Sequence, residues 1–266
     1  RVDTSDAVVA LDLATGQRRW TRSLAPAQMG GQDIYHIACE AWYDPERSNC
    51  SPENPKGEGD RDFGAPPILV TRPDGSQIVA AGSKDGMLYA LDPDNDGAVL
   101  WQRRVGRGGE LGGIEYGIAS DGGIIYAPVV DMDADGVSAG SLTAVDAVSG
   151  RVVWRVDGVD AQCEGKATPP CGNAFVSPPT VAGDLVLAGL IDGTLRAYDT
   201  ATGEERWRLD TARAFDTVNG VAGEGGSLGI GGPVVIGDTI YVVSGWNILN
   251  TGLPGNVLLA LGPGQP

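Results

Sequence analysis

The stretch "ALDLATGQRRW", residues 10–20, is one of four closely similar phrases in this chain of 266 residues. The other three are "ALDPDNDGAVLW" (90–101), "AVDAVSGRVVW" (144–154) and "AYDTATGEERW" (197–207). Each phrase has a small residue, an aspartate two positions later, a glycine in a polar turn, and a tryptophan four residues after that glycine. Recurrence of one phrase along a chain predicts an architecture of repeated supersecondary units.

The spacing of the phrases defines the repeat. Trp101, Trp154 and Trp207 follow one another at intervals of 53 residues. Between Trp20 and Trp101 the interval is 81 residues, and the excess matches a cysteine-containing insertion at about residues 25–60. Inside one unit, alternating β-branched stretches bounded by Gly, Asp and Pro predict four antiparallel strands, "PPILV", "QIVAAGS", "GMLYALD" and "AVLWQRRV". Tandem four-stranded units are typical of the blades of a β-propeller.

The phrase itself predicts a turn between the third and fourth strands of each blade. Glycine supplies a positive φ, and the aspartate accepts amide hydrogens of the turn. An indole buries roughly 200 Å², so each tryptophan is expected to dock between neighbouring blades. These tryptophans are therefore interpreted as structural.

A count of strands gives about four and a quarter blades. The N-terminal stretch (7–23) supplies the third and fourth strands of one blade, and three whole blades follow. The C-terminal stretch (231–262) supplies a first, a second and a third strand without a tryptophan. Open sheet edges are a liability. We therefore predict an all-β fold, a single partial β-propeller domain over residues 1–266, whose N-terminal part lies outside this sequence.

Composition excludes several classes of partner. The formal net charge of −16 and the pI near 4.3 argue against nucleic acid and anionic membranes. No apolar run approaches the ~18 residues of a membrane span.

The four cysteines form two close pairs, Cys39/Cys50 and Cys163/Cys171, each bracketing a polar loop with proline. Local disulfides are the simplest connectivity, and they indicate an oxidising compartment, periplasmic or secreted. Zinc is the alternative, although the chain has no CxxC and one histidine, His36. The absence of CxxCH argues against covalent haem in this stretch.

Alternating aspartates occur in two stretches, residues 92–97 and 131–136. Such carboxylates suit Ca²⁺, but neither stretch has the glutamate that completes an EF-hand loop. The second stretch is the better candidate for a surface calcium, because Asp92 also serves as the turn aspartate of its phrase; its ligands would be Asp131, Asp133 and Asp135.

Stretches between the phrases carry a family resemblance. Together with the Thr-Gly and tryptophan of the phrase, these stretches resemble pyrroloquinoline quinone (PQQ) dehydrogenases. The stretches are "DTSDAVVALD", "DRDFGAPPILV", "GGIEYGIASDGGIIYAPV", "FDTVNGVAGEGGSLGIGGPVV" and "VVSGWNILNTGLPGNVLLAL". The resemblance is colinear over essentially the whole chain and is nearest to the polyvinyl-alcohol-dehydrogenase-like branch. It implies an eight-bladed propeller with PQQ over the central axis.

Lys84 is the first residue to which the resemblance gives a role. It stands eight residues before Asp92, where the corresponding loop of the fourth blade has Ile191. The family places a Lys or Arg here against the carbonyl oxygens of the quinone, where a cation stabilises charge on reduction. A solvated surface lysine remains the alternative.

The resemblance also implies a general base near the first phrase. Asp3 or Asp6 would take the proton of the alcohol, with Asp3 favoured and also a calcium ligand. Ordinary turn chemistry explains both residues equally well.

Further residues are expected to contact the cofactor. Gly113 allows close approach of the backbone, and Tyr116 stands where the family usually has tryptophan; an aromatic plug of the channel is the alternative for Tyr116. Gly226, Ser227 and Trp246 occupy equivalent approaches in the last blade.

Two functions from different classes follow. The first is a PQQ-dependent alcohol dehydrogenase that oxidises a small-molecule or polymeric alcohol and passes electrons to an external acceptor such as a cytochrome c. The second is a non-catalytic propeller that binds proteins, as in outer-membrane assembly lipoproteins, because the same repeat occurs there. A degenerate dehydrogenase homologue that retains only the fold is a third possibility.

Overall fold

The computed structural model describes residues 7–24, 62–109, 112–132, 138–158, 172–246 and 252–264. Over these residues the chain consists of antiparallel strands and tight turns. No helix occurs in this part of the chain, so none there is long and apolar enough to cross a membrane.

The strands form a series of sheets in chain order. The first sheet has two strands, β1 (Ala7–Leu11) and β2 (Arg18–Ser23). The second has β3 (Ile68–Thr71), β4 (Gln77–Gly82), β5 (Met87–Asp92) and β6 (Ala98–Arg104). The third has β7 (Ala119–Ser120), β8 (Ile124–Met132), β9 (Ser138–Asp146) and β10 (Val152–Asp157). The fourth has β11 (Thr180–Ala182), β12 (Leu185–Gly189), β13 (Thr194–Asp199) and β14 (Glu205–Asp210).

The remaining strands lie in the C-terminal part of the chain. A small hairpin pairs β15 (Ala214–Phe215) with β16 (Gly223–Glu224), and a three-stranded sheet contains β17 (Val234–Ile236), β18 (Thr239–Ser244) and β19 (Val257–Leu261). The predicted all-β fold of four-stranded antiparallel blades is confirmed, whereas the β15–β16 hairpin was not predicted. Among the described residues the series of sheets does not close into a ring.

Neighbouring sheets pack face to face. One core cluster joins apolar residues of β3–β5 to residues of β8 and β9, and a second joins β8–β10 to β11–β13. Because the third strand of a blade has apolar neighbours on both faces, β13 is buried over its whole length. The core therefore lies between sheets, as expected of stacked blades.

The tryptophans of the phrases connect each sheet to the next. The Trp154 ring lies against Gly203, where an added Cβ would be 2.7 Å from its Cδ2, and its Nε1 donates to the Thr200 carbonyl at 2.9 Å. The same arrangement occurs twice more: Trp20 with Gly97 and the Pro93 carbonyl, and Trp101 with Gly150 and the Ala147 carbonyl. The predicted docking of tryptophan between blades is confirmed for these three.

The turn chemistry of the phrase is also confirmed. Gly203 has φ +73°, and Asp199 Oδ1 accepts the amides of Ala201 and Thr202 at 3.0 and 2.9 Å. Asp12 and Asp146 make corresponding bonds in their own turns. The Arg206 guanidinium, followed by the Thr202 amide, lowers the pKa of Asp199 to about 2.

A β-bulge precedes each of the four tryptophans. In every phrase the register shifts by one residue opposite the small residue, so the residue before the tryptophan has no partner on the third strand. In two phrases this bulged residue is an arginine that pairs with the turn aspartate, Arg19 with Asp12 at 3.1 Å and Arg206 with Asp199 at 2.7 Å. A bulge increases local twist and re-aims a side chain, which here is the tryptophan.

Gly203→Ala is expected to destabilise the fold more than Gly183→Ala. Both glycines lie in turns of the fourth sheet at positive φ, +73° and +61°, so both substitutions carry a backbone cost of about 1–2 kcal/mol. A Cβ at Gly183 meets open space, whereas one at Gly203 meets the Trp154 ring, and such overpacking adds about 1–3 kcal/mol. Urea unfolding of the two variants measures the difference in unfolding free energy. Equal losses of stability would show that docking of the Trp154 ring does not depend on Gly203.

Asp199→Asn is expected to reduce the acid sensitivity of the fold. A carboxylate whose pKa is lowered on folding stabilises the protein above its unfolded pKa, near 3.9, and that contribution is lost as pH falls towards about 2. The unfolding free energy of the wild type should therefore decline more steeply between pH 4 and pH 2 than that of the variant. Denaturant melts over this pH range, with exposed Asp238→Asn as the control, provide the test, and parallel slopes would contradict it.

Candidate functional site

Lys84 lies in the loop that joins β4 to β5, and three separate segments converge on this loop. Its amide donates to the Asp62 carbonyl at 3.0 Å, and its own carbonyl accepts the Gly109 amide at 3.0 Å. The neighbouring Ser83 carbonyl accepts the Ile114 amide at 3.1 Å. The stretches "DRDFGAPP" and "GGIEYG", far apart in sequence, are therefore neighbours in space.

The ammonium of Lys84 is flanked by carboxylates. Nζ is 3.2 Å from Asp62 Oδ1 and 4.0 Å from Glu115 Oε1. The lysine side chain is only 13% exposed. Lys84 is thus a largely buried, paired cation, and its interpretation as a solvated surface lysine is wrong.

Gly108 and Gly113 allow neighbouring segments to approach the backbone of Lys84 closely. A Cβ on Gly108 would lie 2.0 Å from the Lys84 carbonyl oxygen, and one on Gly113 would lie 2.1 Å from it. Both glycines also have φ +75°. Gly113 therefore contacts the lysine backbone closely, and any contact with a cofactor stays a prediction.

Asp131 lies behind the same loop. It is buried, and its Oδ1 accepts the amides of Arg107 at 2.7 Å and of Gly108 at 3.0 Å. One carboxylate oxygen therefore holds the segment that contacts Lys84. Asp133 and Asp135 lie outside the described residues, so the calcium prediction is untested; within the described ranges no group of three possible metal ligands occurs.

The loop of Ile191 in the fourth sheet has backbone bonds that correspond to two of those made by the loop of Lys84. The Ile191 amide donates to the Ala174 carbonyl at 3.1 Å, and the Leu228 amide donates to the Leu190 carbonyl at 3.2 Å. These bonds correspond to those made at Lys84 and Ser83. The predicted equivalence of Lys84 and Ile191 is therefore confirmed by geometry.

Tyr116 and Trp246 meet beside Ile191. Their ring centroids are 5.9 Å apart at an interplanar angle of 72°, and both rings pack on an apolar cluster that includes Ile191 and Val130. Burial, together with the charge and hydrogen bond of Glu115, raises the pKa of the Tyr116 phenol well above its usual range. The buried Trp246 Nε1 has no hydrogen-bond partner among the described residues.

Gly226 and Ser227 lie inside the protein, behind the loop of Ile191. The Ser227 hydroxyl is fully buried, donates to the Ile191 carbonyl and accepts the Leu253 amide at 2.7 Å. The Gly226 carbonyl accepts the Ser244 hydroxyl at 3.0 Å. In this structure both residues support the loop, and a role in cofactor binding remains a prediction.

Several predicted residues lie outside the described part of the chain. These are the candidate bases Asp3 and Asp6, together with His36 and the four cysteines. Their predicted roles stay predictions.

A cleft of about 1050 Å³ lies elsewhere, between β14, the β15–β16 hairpin and β19. Trp207, Phe215 and Leu258 are among its lining residues. None of the residues predicted for the site lines this cleft.

Comparison with known proteins shows the family of this chain. The PQQ_2 family model, described as outer membrane protein assembly factor BamB, matches residues 84–250. The chain belongs to this PQQ-repeat family. It is 37% identical to the polyvinylalcohol dehydrogenase of Sphingopyxis sp. (strain 113P3) over 97% of this chain and 40% of that protein. It is 36% identical to the polyvinylalcohol dehydrogenase of Pseudomonas sp over 96% of this chain and 39% of that protein.

Solved structures share the fold of this PQQ-repeat protein. Quinohemoprotein alcohol dehydrogenase from Comamonas testosteroni superposes with a TM-score of 0.56 at 16% identity, covering 94% of this chain and 41% of that one. Identity at this level shows the propeller fold alone. The chain spans about 40% of the length of the curated relatives.

Two residues of the site in this PQQ-repeat protein were missed from sequence, Asp62 and Glu115. Both lie in stretches that carried the resemblance, yet the carboxylates themselves were given no role. Alignment of the second unit with the fourth would have found them, because the equivalent positions hold Ala174 and Gly229.

Asp131→Ala is expected to loosen the segment at residues 106–109. Removal of the carboxylate leaves the amides of Arg107 and Gly108 without their acceptor, so their hydrogen exchange should accelerate about ten-fold or more. Amide exchange measured by NMR provides the test, with the exposed Asp157→Ala as the matched control. Unchanged protection of both amides would contradict the role assigned to Asp131.

Proposed function

We propose that this chain is part of a PQQ-dependent alcohol dehydrogenase. The observation that carries the proposal is Lys84, a largely buried cation in a loop whose structural equivalent holds Ile191. Its presence in a chain 37% identical to a polyvinylalcohol dehydrogenase supports a quinone-binding role. The proposed substrate is an alcohol, small or polymeric, and the proposed acceptor is external, such as a cytochrome c.

The residues present fit the cofactor. PQQ has an ortho-quinone and three carboxylates, so its polar groups are mainly hydrogen-bond acceptors. Lys84 Nζ and Trp246 Nε1, which has no hydrogen-bond partner within the described part of the chain, are both donors with little exposure to water. A donor without a partner is costly to bury, and a ligand acceptor would relieve that cost.

Each residue then has a definite task. Lys84 would hold the quinone oxygens and would stabilise negative charge there, because a preorganised cation is most effective where charge appears. Asp3 or Asp6 takes the hydroxyl proton of the alcohol, and Asp3 also binds a calcium ion. When bound, PQQ supplies the two-electron acceptor for the oxidation.

The aromatic pair and the glycine-rich segments complete the proposed site. Tyr116 and Trp246 offer flat apolar surface for a planar ring system, and the high pKa of Tyr116 keeps its phenol neutral. Gly113, Gly226 and Ser227 are proposed to bring backbone close to the cofactor. Asp131, Asp133 and Asp135 are proposed to bind a second, surface calcium.

The wider setting is also a proposal. We infer a periplasmic or secreted protein with disulfides Cys39–Cys50 and Cys163–Cys171, folded as one partial propeller domain with an insertion at about 25–60. The acidic composition argues against a nucleic-acid partner.

A protein-binding scaffold is the second candidate. It is favoured by the description of the matching family model, outer membrane protein assembly factor BamB. A scaffold needs no cofactor, so Lys84 substitutions would leave its partner binding intact.

Lys84→Met is expected to weaken PQQ binding about 10- to 100-fold, because a charge-assisted hydrogen bond is removed from a site with little access to water. Lys84→Arg should retain most of the affinity, and Arg151→Met removes an exposed cation next to the third sheet as a control. Absorbance titration with PQQ in millimolar calcium measures cofactor binding. Dye-linked oxidation of polyvinyl alcohol then measures turnover.

A chimera makes the outcome decisive. The chain is joined to the part of the Sphingopyxis enzyme that lies outside its match, and the titration is repeated. Saturable binding that Lys84→Met weakens supports the dehydrogenase. If neither the chain nor the chimera binds PQQ, the dehydrogenase proposal fails and the scaffold is favoured.

A further inference from the structure

The β15–β16 hairpin lies between the fourth sheet and the C-terminal sheet and belongs to neither. It leaves the fourth sheet at the end that carries the loop of Ile191, because Asp210, the last residue of β14, pairs with Thr194, which follows that loop. The tryptophan contacts repeat from sheet to sheet, so the sheets are stacked in one orientation. The hairpin therefore lies at the same end of the stacked sheets as Lys84, which we call the Lys84 end.

Hydrogen bonds hold the hairpin in one conformation. At its tip, Asn219 Oδ1 accepts the Thr217 hydroxyl at 2.7 Å and the Val221 amide at 3.2 Å. At its base, the Glu224 amide donates to Asn256 Oδ1 at 2.8 Å, and the Asn256 amide donates to the Glu224 carbonyl at 2.7 Å. An ordered loop loses little conformational entropy when a partner binds it.

The tip of the hairpin presents apolar side chains to solvent. Val218 is fully exposed and Val221 is 60% exposed. Within the described ranges, the other exposed large apolar side chains lie in strands, at Ile230, or in the turns of Leu13 and Val148. Those two turns join third to fourth strands, so they lie at the opposite end of the sheets. Apolar side chains presented together by an ordered loop are typical of a protein-contact surface.

The size and charge of this surface indicate the kind of partner. Two valines form a small apolar centre, which suits a transient redox encounter of less than about 1,200 Å² and not a stable dimer. Asp216 and Glu224 are exposed beside it, and Arg213 stacks on Phe215 at 4.5 Å. The chain as a whole has a formal net charge of −16. Its surface therefore attracts a basic protein and repels a second copy of itself.

We propose that the β15–β16 hairpin docks the protein that accepts the electrons, a small basic haem protein of the cytochrome c type. This inference rests on the proposed dehydrogenase function. Oxidation of one alcohol to a carbonyl gives up two electrons and two protons. Two ferric haems take one electron each, and the protons pass to water. Val218 and Val221 form the centre of the contact, at the end of the sheets where Lys84 lies.

Docking can be measured without PQQ and without turnover. The probe is oxidised basic cytochrome c, titrated into the ¹⁵N-labelled chain at low ionic strength. Amide signals of residues 214–224 should shift, and the affinity should fall as salt is added. Val218→Thr combined with Val221→Thr keeps the shape of both side chains but makes them polar, so binding should weaken about five-fold or more. Val148→Thr, in an exposed turn at the opposite end, is the matched control and should leave the affinity unchanged.

Turnover separates docking from catalysis. It is measured on whichever of the chain and the chimera binds PQQ. With a small soluble dye as acceptor, the double variant should keep the wild-type rate, because a dye reaches the cofactor without the hairpin. With cytochrome c as acceptor, kcat/KM for cytochrome c should fall about five-fold or more. An equal fall with both acceptors would show damage to the site and would contradict a docking role.

Three further results would overturn the inference. The first is a wild-type chain that does not bind cytochrome c at low ionic strength, and the second is equal affinity of the wild type and the double variant. The third is a dimer, seen by sedimentation, that the double variant dissociates, since the hairpin would then contact a second copy. If the wild type binds no PQQ, the proposed function fails, while the cytochrome c titration still decides whether the hairpin docks a haem protein.

Discussion

The docking of a tryptophan ring over the turn glycine of the next sheet is the interaction on which the rest of the structure depends. Each phrase contains both halves of this contact, the tryptophan that inserts and the glycine turn that receives. The Trp154 ring fits because Gly203 has no side chain, and the Thr200 carbonyl satisfies the indole N–H. Repetition of one self-complementary phrase therefore stacks the sheets in chain order at a fixed spacing.

A scaffold fixed in this way leaves the loops at the ends of the strands open to variation. The loops of Lys84 and Ile191 share two backbone bonds to neighbouring segments, although the two side chains share no chemistry. One loop is built around a charged group with Asp62 and Glu115, and the other around an apolar cluster with aromatic rings. The proposed chemistry of this protein lies in these departures from the repeat.

Local pattern predicted most of the architecture from sequence. The strand order, the turn aspartates and the docking tryptophans follow from residues close together in the chain, so alternation and spacing were sufficient. The β15–β16 hairpin was missed because its strands have two residues each and lie in a glycine-rich stretch. The bulge before each tryptophan was also missed, since it is visible only in the pairing of strands.

The candidate site was less predictable because its contacts are long-range. Lys84 was found as a break in the repeat, but the pairing with Asp62 and Glu115 joins segments 22 and 31 residues away. Ser227 was predicted to contact a cofactor, which stays a prediction, and the structure shows that its hydroxyl has two partners inside the protein. Sequence alone does not show whether a polar side chain points into a cavity or supports the loop behind it.

A crystal structure of the protein with PQQ and calcium tests the central claim most directly. The account predicts a quinone whose carbonyl oxygens lie within hydrogen-bond distance of Lys84 Nζ, with Glu115 still beside the ammonium. PQQ bound away from Lys84, in crystals of protein shown by absorbance to hold the cofactor, would contradict it.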